Sequence, residues 1–492
     1  MIKLHFDGKE CTGNIGQTIL EVALANGIKT IPTLCWLKGL SPVGACRMCV
    51  VEVEGSPKML TACTSPAEDG MKILTQTAKL KEYRKQILEL LFAGRNHFCM
   101  YCSQSGGCEL QNLAIEHGMD SVRYPYLFPF IENDTTSSDF MVDRNRCVLC
   151  SRCIRTCSEI VGACSLGLEK RGWVANIISD LGEKFGNSST CISCGACAQA
   201  CPTGTITIRE HAYRGRLKDC DKIVETVCPL CVMGCEIKAY ARNNYLVRIE
   251  GVKNPDNPDG GQLCHKGRIE LLRVLERPRL TSPMIRSGAG FSEASWEDAI
   301  NLIAEKISQA DKSKSGAVAS LIAPIDDLKY FAGFFGALGI KTDCREGDVP
   351  PQARYVKENR ERGENESIRT RENEVAKMRS LICASSWLGI GNEPSEREPV
   401  GIGTSNLDFF FFLTPGFEIP CNDVLEALDH SKFSVVQTSY ISHPMAYLAD
   451  VLLPSAAWQE IVGIFEPEQS TKQTREVFLS LANKLAITIK EV

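Results

Sequence analysis

Alternating apolar and polar residues open the chain, and the segment IKLHF predicts a β-strand that ends at the turn Asp7-Gly8. Apolar residues at helical spacing follow in GQTILEVALANG, which predicts a helix ending at Gly27. A loop leads to a second strand, CVVEVEG, and residues 79–93 again show helical spacing. The opening of the chain therefore mixes strands and helices, as α+β domains do.

Beyond residue 280 the pattern changes to helices alternating with apolar strands such as AVASLIAP and LDFFFFL. This alternation is typical of an α/β domain. Residues 353–379 mix both signs of charge densely, which predicts an exposed helix or loop, with a docking surface as the alternative. We therefore expect a multidomain chain with α+β and α/β parts.

The composition is that of a soluble globular protein, with 44% hydrophobic and 23% charged residues in a chain of 492. A net charge of −5 without a basic stripe predicts no nucleic-acid partner. The first ten residues lack the layout of a signal peptide, and the longest apolar run, Phe409–Leu413, is too short for membrane insertion. With 25 cysteines, such a chain is expected to bind metal in the reducing cytoplasm, and a disulfide scaffold is the weaker alternative.

Nineteen of the 25 cysteines and one histidine form runs with iron–sulfur ligand spacing, all within the first 264 residues. The first run predicts a [2Fe–2S] site, because this cluster needs four thiolates and a tight loop, for which Gly44 is suited. With the preceding strand and helix, it predicts a β-grasp ferredoxin domain over residues 1–77. Its ligands would be Cys35, Cys46, Cys49 and Cys63.

The second run, NHFCMYCSQSGGCELQ, contains only three cysteines, so a [4Fe–4S] cluster there needs a fourth donor. Imidazole can supply it. A surface or core role for this histidine is the alternative. We predict a cluster domain with one histidine and three cysteine ligands over residues 78–120, the ligands being His97, Cys99, Cys102 and Cys108.

The third region repeats the C-x2-C-x2-C-x3-C run of two-cluster ferredoxins, in which the fourth cysteine of each run serves the other cluster. A zinc site is the alternative for any single CxxC pair. Residues 138–215 are therefore predicted to form a two-[4Fe–4S] ferredoxin domain. One cluster would use Cys147, Cys150, Cys153 and Cys201, and the other Cys157, Cys191, Cys194 and Cys197.

The fourth run lies within residues 221–277, where the strand-like segment IKAYARNNYLVRIEG interrupts it. It resembles the [4Fe–4S] domain that opens the molybdopterin oxidoreductases. This resemblance implies that Lys266 is the lysine between cluster and pterin, with a solvated lysine as the alternative. The predicted ligands are Cys228, Cys231, Cys235 and Cys264.

The ligand pattern as a whole resembles the large iron–sulfur subunit of respiratory complex I and its relatives in NAD-linked hydrogenases and formate dehydrogenases. The long first gap of run one and the GxCELQ ending of run two carry this resemblance. The single residue between His97 and Cys99 is a shorter gap than most of these relatives have. It resembles the diaphorase-side subunit of NAD-linked nickel–iron hydrogenases. The doubled third region resembles the hydrogenase and formate dehydrogenase relatives.

Residues 278–492 resemble a shortened molybdopterin-oxidoreductase α/β domain, through GNEP at Gly391 and ADVLLPSAAWQEIVGIF at Ala449. Active members of that family need a longer chain and a metal-ligating Cys, selenocysteine or Ser. Cys344 lies near that position without the usual context, so it is expected to be structural. The resemblance therefore implies no bound molybdopterin and no catalytic residue in this chain.

Neither a GxGxxG after a strand nor a GxxxxGK[ST] occurs, so no flavin or nicotinamide site is expected. We expect an electron-transfer subunit, with one [2Fe–2S] and four [4Fe–4S] clusters, of a soluble multi-subunit NAD(P)-linked oxidoreductase. The resemblance implies as partners an FMN- and NAD(P)H-binding flavoprotein, a small [2Fe–2S] thioredoxin-like subunit, and nickel–iron hydrogenase subunits or ferredoxin. An electron-bifurcating complex would fit by analogy. The alternatives are a molybdenum or tungsten formate dehydrogenase subunit and a peripheral-arm subunit of complex I.

Overall fold

The computed structural model describes residues 1–231, 234–252, 261, 263–320, 323–345, 407–414, 422–441, 447–463 and 471–489. The chain divides into two compact units. Unit 1 comprises Met1–Asp221, Tyr240–Pro255 and Asp259–Ile269, and unit 2 comprises Lys222–Ala239, Asp256–Pro258 and Glu270–Val492.

Unit 1 begins with a mixed five-stranded sheet in the order β2-β1-β5-β3-β4, in which β1 and β5 are parallel. Its strands are β1 Ile2–Phe6, β2 Lys9–Gly13, β3 Val50–Val53, β4 Leu60–Thr61 and β5 Lys72–Leu74. Helix α1, Ile19–Ala25, begins at a capping box between Thr18 and Glu21, which satisfies two N-terminal N–H groups. Apolar side chains of β1 and α1 form the core beneath the sheet. The strand and helix expected in the first 27 residues are confirmed.

Two longer helices follow the sheet. Helix α2, Ala78–Gly94, is capped by Thr77 and confirms the helical spacing seen in residues 79–93, and helix α3 spans Glu109–Glu116. The fully buried Arg84 on α2 donates to the carbonyls of Thr75 and Val50, both at 2.9 Å. The buried guanidinium of Arg84 thereby joins helix α2 to the first sheet, and the two carbonyls provide the hydrogen bonds that a buried charge needs.

The rest of unit 1 consists of short helices and two small sheets. Strand β6 pairs with β9, and β7 with β8, both antiparallel. The elements are β6 Phe140–Val142, α4 Arg152–Arg155, β7 Leu166–Glu169, β8 Asn176–Ser179, α5 Ala196–Ala200 and β9 Ile206–Ile208.

The segment expected as one strand, IKAYARNNYLVRIEG, forms two strands. Residues Asn243 and Asn244 both have positive φ, at 50° and 59°, and make a two-residue hairpin turn. Asparagine tolerates this left-handed backbone, which is why the chain reverses there. The strands are β10 Lys222–Val227, β11 Glu236–Arg242 and β12 Tyr245–Gly251, in the order β10-β11-β12.

Unit 2 contains a sheet whose described strands follow the order β14-β13-β19-β18-β17-β15-β16. The strands are β13 Met284–Ser287, β14 Gly290–Glu293, β15 Ser315–Ser320, β16 Lys341–Arg345, β17 Phe409–Leu413, β18 Ser434–Thr438 and β19 Val451–Pro454. The helices are α6 Leu271–Leu275, α7 Trp296–Gln309, α8 Ile325–Leu338, α9 Asn422–His430, α10 Trp458–Ile461 and α11 Thr474–Leu485. Strands β16, β15, β17, β18 and β19 are parallel neighbours, so the α/β expectation is confirmed.

Side chains cover both faces of this sheet, as a parallel sheet requires. On one face, rings from α8, β17 and α11 meet, with Phe478 and Phe411 centroids 5.7 Å apart. On the other face, Phe410 and Phe412 pack with Val424 and Leu428 of α9. The apolar strand LDFFFFL is thus buried on both sides.

Several expectations fall outside the described residues. They are the charged segment 353–379, the GNEP block at Gly391 and the side chain of Cys344. In the part of the chain that is described, no helix has the length and apolar character needed to cross a membrane.

Candidate metal centres

In the first predicted ligand set, set 1, Cys35, Cys46 and Cys49 lie on the loop between α1 and β3, and Cys63 follows strand β4. The Cys49 thiol lies 3.4 Å from the sulfur of Cys63. The backbone N–H groups of Cys35 and Cys46 each point at the other's sulfur, at 3.3 and 3.5 Å. All four cysteines are buried, and the hydrogen bond between the thiols lowers the pKa of Cys35 while it raises that of Cys46.

Left-handed backbone shapes this loop. Gly44 and Arg47 have φ of 62° and 60°, which curls the chain so that further N–H groups face the sulfurs. The N–H of Ala45 donates to Cys35, and that of Met48 donates to Cys46. Such N–H···S bonds stabilise thiolate charge, which suits a [2Fe–2S] cluster.

Set 2 consists of His97, Cys99, Cys102 and Cys108. Burial raises the pKa of Cys108 to about 11, and the charges of Cys102 and Cys99 add to the effect. Arg146 interacts with both His97 and Cys102, so the ring and the sulfurs share a neighbour.

The environment of His97 favours the neutral imidazole, the form that can donate a nitrogen lone pair to a metal. Burial lowers its pKa to about 4, and the ring has a hydrogen-bond partner in the Leu91 carbonyl. Its Nε2 is buried and has no hydrogen-bond partner among the described residues. A neutral imidazole whose other nitrogen bonds a carbonyl is the usual form of a metal-bound histidine. His97 therefore fits the fourth donor position, and its ligation stays a prediction.

The eight cysteines of the third region interact electrostatically both within and between its two runs. The charge of Cys201 acts on Cys147, Cys150 and Cys153 of the first run, and also on Cys197 of the second. The charge of Cys157 acts on Cys191, Cys194 and Cys197. We call the predicted ligand groups set 3 (Cys147, Cys150, Cys153, Cys201) and set 4 (Cys157, Cys191, Cys194, Cys197). These two sets are the ligand groups expected from the doubled run, and the assignment stays a prediction.

The two runs repeat the same backbone conformation. Leu149 and Ser151 have positive φ in the first run, and Ser193 and Gly195 have it at the equivalent positions of the second. A short helix, α4 or α5, begins directly afterwards. This geometry aims N–H groups at the sulfurs, for example from Leu149 to Cys147 at 3.4 Å.

Burial dominates the electrostatics of sets 3 and 4. It raises the pKa of Cys147 and Cys150 to about 12, and the neighbouring cysteine charges add to the effect. Four thiols in this state bind as thiolates only beside a cation, and iron would supply that charge. The set 4 cysteines line a small pocket together with Phe140, Phe185 and other apolar residues.

No three His, Cys, Asp or Glu side chains in the described part of the chain converge as single-ion ligands do. An iron–sulfur cluster needs a wider cage than one ion, because its four protein ligands are shared among several irons. The cysteine-rich donor chemistry of sets 1 to 4 suits such clusters, and cluster binding by these sets stays a prediction.

Set 5, the fourth run, is divided between the two units. Cys228, Cys231 and Cys235 are buried in unit 2, and the Cys228 N–H donates to the Cys235 carbonyl at 2.8 Å. Cys264 belongs to unit 1, and Lys266 lies half-buried beyond it in a helical turn. Set 5 and the pterin-side role of Lys266 stay predictions.

Sequence reasoning missed the side chains that connect the sets. These side chains belong to Arg152 and Arg155, and both are buried. Arg155 donates to the carbonyls of Cys35 in set 1 and Cys150 in set 3. Arg152 contacts Trp36 and Glu109, which are the chain neighbours of Cys35 in set 1 and of Cys108 in set 2. A Cβ at Gly204 would overlap the sulfur of Cys102. The two arginines lie between predicted ligands in the run CVLCSRCIRTC, so their positive charges could have indicated a role at the sites. No feature of the sequence around Gly204 indicates its contact with Cys102.

Family models match most of the regions just described. They are a 2Fe-2S iron-sulfur cluster binding domain (residues 1–78), the NADH-ubiquinone oxidoreductase-G iron-sulfur binding region (84–123), a 4Fe-4S binding domain (186–207), the molybdopterin oxidoreductase Fe4S4 domain (221–274) and molybdopterin oxidoreductase (279–352). The fold and the sites thus define a multidomain iron–sulfur protein of mixed α/β content. The chain resembles the iron–sulfur subunits represented by the G subunit of NADH-quinone oxidoreductases.

Two curated relatives illustrate the resemblance. The alpha subunit of the NADPH-Fe(3+) oxidoreductase of Geobacter sulfurreducens is 37% identical over 335 residues, covering 66% of this chain and 37% of the relative. The G 2 subunit of the NADH-quinone oxidoreductase of Rhizobium meliloti is 32% identical over 338 residues, covering 67% and 38%. The chain thus spans less than two fifths of the length of these relatives.

A solved structure is also similar. It is the crystal structure of an NAD+-reducing nickel–iron hydrogenase in the H2-reduced state, 33% identical, with a TM-score of 0.40. The match covers 42% of this chain and 87% of that chain.

Proposed function

We propose that this chain is an electron-transfer subunit of a multi-subunit NAD(P)-linked oxidoreductase. The proposed domains are a β-grasp [2Fe–2S] ferredoxin (1–77), a cluster domain with one histidine and three cysteine ligands (78–120), a two-[4Fe–4S] ferredoxin (138–215), a [4Fe–4S] domain (221–277) and a shortened molybdopterin-oxidoreductase-like domain (278–492). Sets 1 to 5 would hold one [2Fe–2S] and four [4Fe–4S] clusters.

One observation carries the proposal: ligands of three different sets share one apolar cluster in unit 1. Cys35 and Cys46 of set 1, Cys150 of set 3 and Cys108 of set 2 pack there with Leu34, Met48, Leu88, Leu110 and Leu113. Clusters that only store iron would not need to share a hydrophobic core. Clusters that exchange electrons need such a core, because electron transfer requires that they lie close together, at a fixed distance and away from water.

The residues of the chain perform a narrow task in this proposal. When bound, the clusters supply one-electron oxidation and reduction. The thiolates and His97 hold the irons, and N–H groups such as that of Leu149 stabilise charge on the sulfurs. Burial among apolar side chains keeps water from the sets, and this also sets the reduction potentials.

The proposed partners follow the family. We propose a flavoprotein that binds FMN and NAD(P)H, together with a small [2Fe–2S] subunit, because two curated relatives are named as NADH- or NADPH-linked oxidoreductase subunits. Nickel–iron hydrogenase subunits or ferredoxin would complete the electron path. An electron-bifurcating complex in the cytoplasm is part of this proposal.

Iron analysis of the anaerobically prepared chain tests the proposal. We expect about 18 irons per chain, and about 14 in Cys194→Ala, because set 4 would lose its cluster. Cys164→Ala is the matched control, because Cys164 is exposed and lies outside every set. A nearly iron-free wild-type chain, or the same iron content in Cys194→Ala and wild type, would refute the assignment.

The match of residues 279–352 to molybdopterin oxidoreductase favours one second candidate, a molybdenum or tungsten formate dehydrogenase subunit. We propose that no molybdopterin is bound. Metal analysis separates the two, since a stoichiometric molybdenum or tungsten signal with pterin fluorescence would establish the second candidate.

A further inference from the structure

Arg155 joins two predicted redox sites through a single buried guanidinium. One of its terminal nitrogens, Nη2, donates to the carbonyl of Cys35 in set 1 at 2.6 Å and to the carbonyl of Cys150 in set 3 at 3.1 Å. The other donates to the Ser41 carbonyl. Only 8% of Arg155 is exposed, so this charge is largely removed from water.

The neighbouring arginine on α4 is neutralised, and Arg155 is not. Arg152 pairs with the Glu109 carboxylate at 2.8 Å and donates to the Trp36 carbonyl at 2.8 Å. Arg155 makes no salt bridge in the part of the chain that is described. The nearby carboxylate of Glu159 bonds Ser41 instead, through the Ser41 N–H at 2.7 Å.

We infer that Arg155 is a positioning residue for electron transfer, which holds sets 1 and 3 at a constant separation and raises the reduction potentials of both. This inference rests on the proposed function, because it needs clusters in both sets. The hydrogen bonds of the Arg155 guanidinium to the two carbonyls attach the backbone of one ligand in each set to a single rigid, planar group.

The electrostatic part follows from Coulomb's law. Adding an electron to either cluster places negative charge near a buried cation, and the attraction is strong where water is excluded. Reduction is therefore favoured at both sites. Because one charge acts on both, the two potentials rise together and the driving force between the sites changes little.

An EPR-monitored redox titration of the full, cluster-loaded chain tests this inference. In Arg155→Gln we expect about a tenfold drop in the equilibrium constant for reducing both clusters, or about 59 mV for a one-electron couple. Arg155→Lys should restore most of the loss, since it keeps the charge. The double variant Arg152→Gln with Glu109→Gln removes one guanidinium and one carboxylate together, so its potentials should shift less.

A second variant covers the case in which Arg155→Gln does not assemble. Ser41→Asp places a carboxylate on the exposed residue whose carbonyl Arg155 bonds, and it should lower both potentials in the same direction. Ser41→Asn is its neutral control. Unchanged potentials in an iron-replete variant, or a shift at only one site, would overturn the inference. Absent iron or EPR signals in the wild-type chain would instead refute the proposed function.

Discussion

The sulfur of Cys108 lies 3.5 Å from the carbonyl oxygen of Pro202, although 94 residues separate them along the chain. The N–H of Glu109 donates to the same carbonyl at 3.0 Å. Cys201, a predicted ligand of set 3, immediately precedes Pro202. Pro202, which is bonded to Cys201 of set 3, therefore contacts Cys108 of set 2 directly through its carbonyl group.

His97 should be necessary for the cluster of set 2 in its native form. We expect His97→Ala to alter or abolish one [4Fe–4S] EPR signal, because the set retains only three thiolates. His97→Cys should keep the cluster at a more negative potential, since a thiolate adds charge that neutral imidazole lacks. His117→Ala, a half-buried histidine outside the sets, should leave the spectrum unchanged. An unaltered spectrum in His97→Ala would remove His97 from the ligand set.

Gly204 should be intolerant of any side chain once set 2 holds a cluster. The added Cβ of Gly204→Ala would overlap the Cys102 sulfur, and a ligating sulfur cannot rotate away. We expect loss of about four irons and of the set 2 EPR signal. Gly167→Ala is the matched control, because its Cβ would meet only Ile178 at 3.9 Å. Full iron content in Gly204→Ala would show that Cys102 is not held in this position.

Phe478 should be a major source of stability in unit 2. Its ring is fully buried and lies 5.3 Å from Phe334 and 5.7 Å from Phe411 between centroids. Phe478→Ala should lower the free energy of unfolding by about 3–5 kcal/mol. Leu479→Ala, at the exposed neighbouring position, should cost less than about 1 kcal/mol. Urea unfolding followed by circular dichroism measures both, and equal losses would contradict this account of the core.

Asp327 should make unit 2 more stable in mild acid. Burial raises the pKa of its carboxyl from 3.8 to about 6, against the opposing hydrogen bond with Thr474. Because the protonated form is favoured in the folded state, this contribution is present below about pH 4 and is lost as the pH rises to about 6. The loss amounts to roughly 1–3 kcal/mol.

Asp327→Asn should remove this dependence. Asp326→Asn, at the exposed neighbouring position, should retain most of it, because the charge of Asp326 raises the pKa of Asp327 less than burial does. Urea unfolding at pH values from 4 to 7 is the measurement. Parallel pH profiles for wild type and Asp327→Asn would show that Asp327 ionises normally in the folded protein.

Much of the secondary structure could be predicted from the apolar pattern. Strand β1, helices α1 and α2, and the α/β alternation that includes β15 and β17 follow from local periodicity, which neighbouring residues along the chain determine. The hairpin turn at Asn243-Asn244 was missed because the apolar alternation continues on both sides of it. Strand order, such as β15 between β16 and β17, depends on partners distant in sequence, which no local pattern records.

The sequence by itself determined which residues are predicted to bind metal, because ligands within one run lie a few residues apart and short loops leave the backbone little freedom. It also determined the resemblance to known iron–sulfur subunits, through the spacing of those runs. Only the tertiary structure decided what lies between the sets. The bonds of Arg155 to Cys35 and of Cys108 to Pro202 join residues 120 and 94 positions apart, and packing alone brings such residues together.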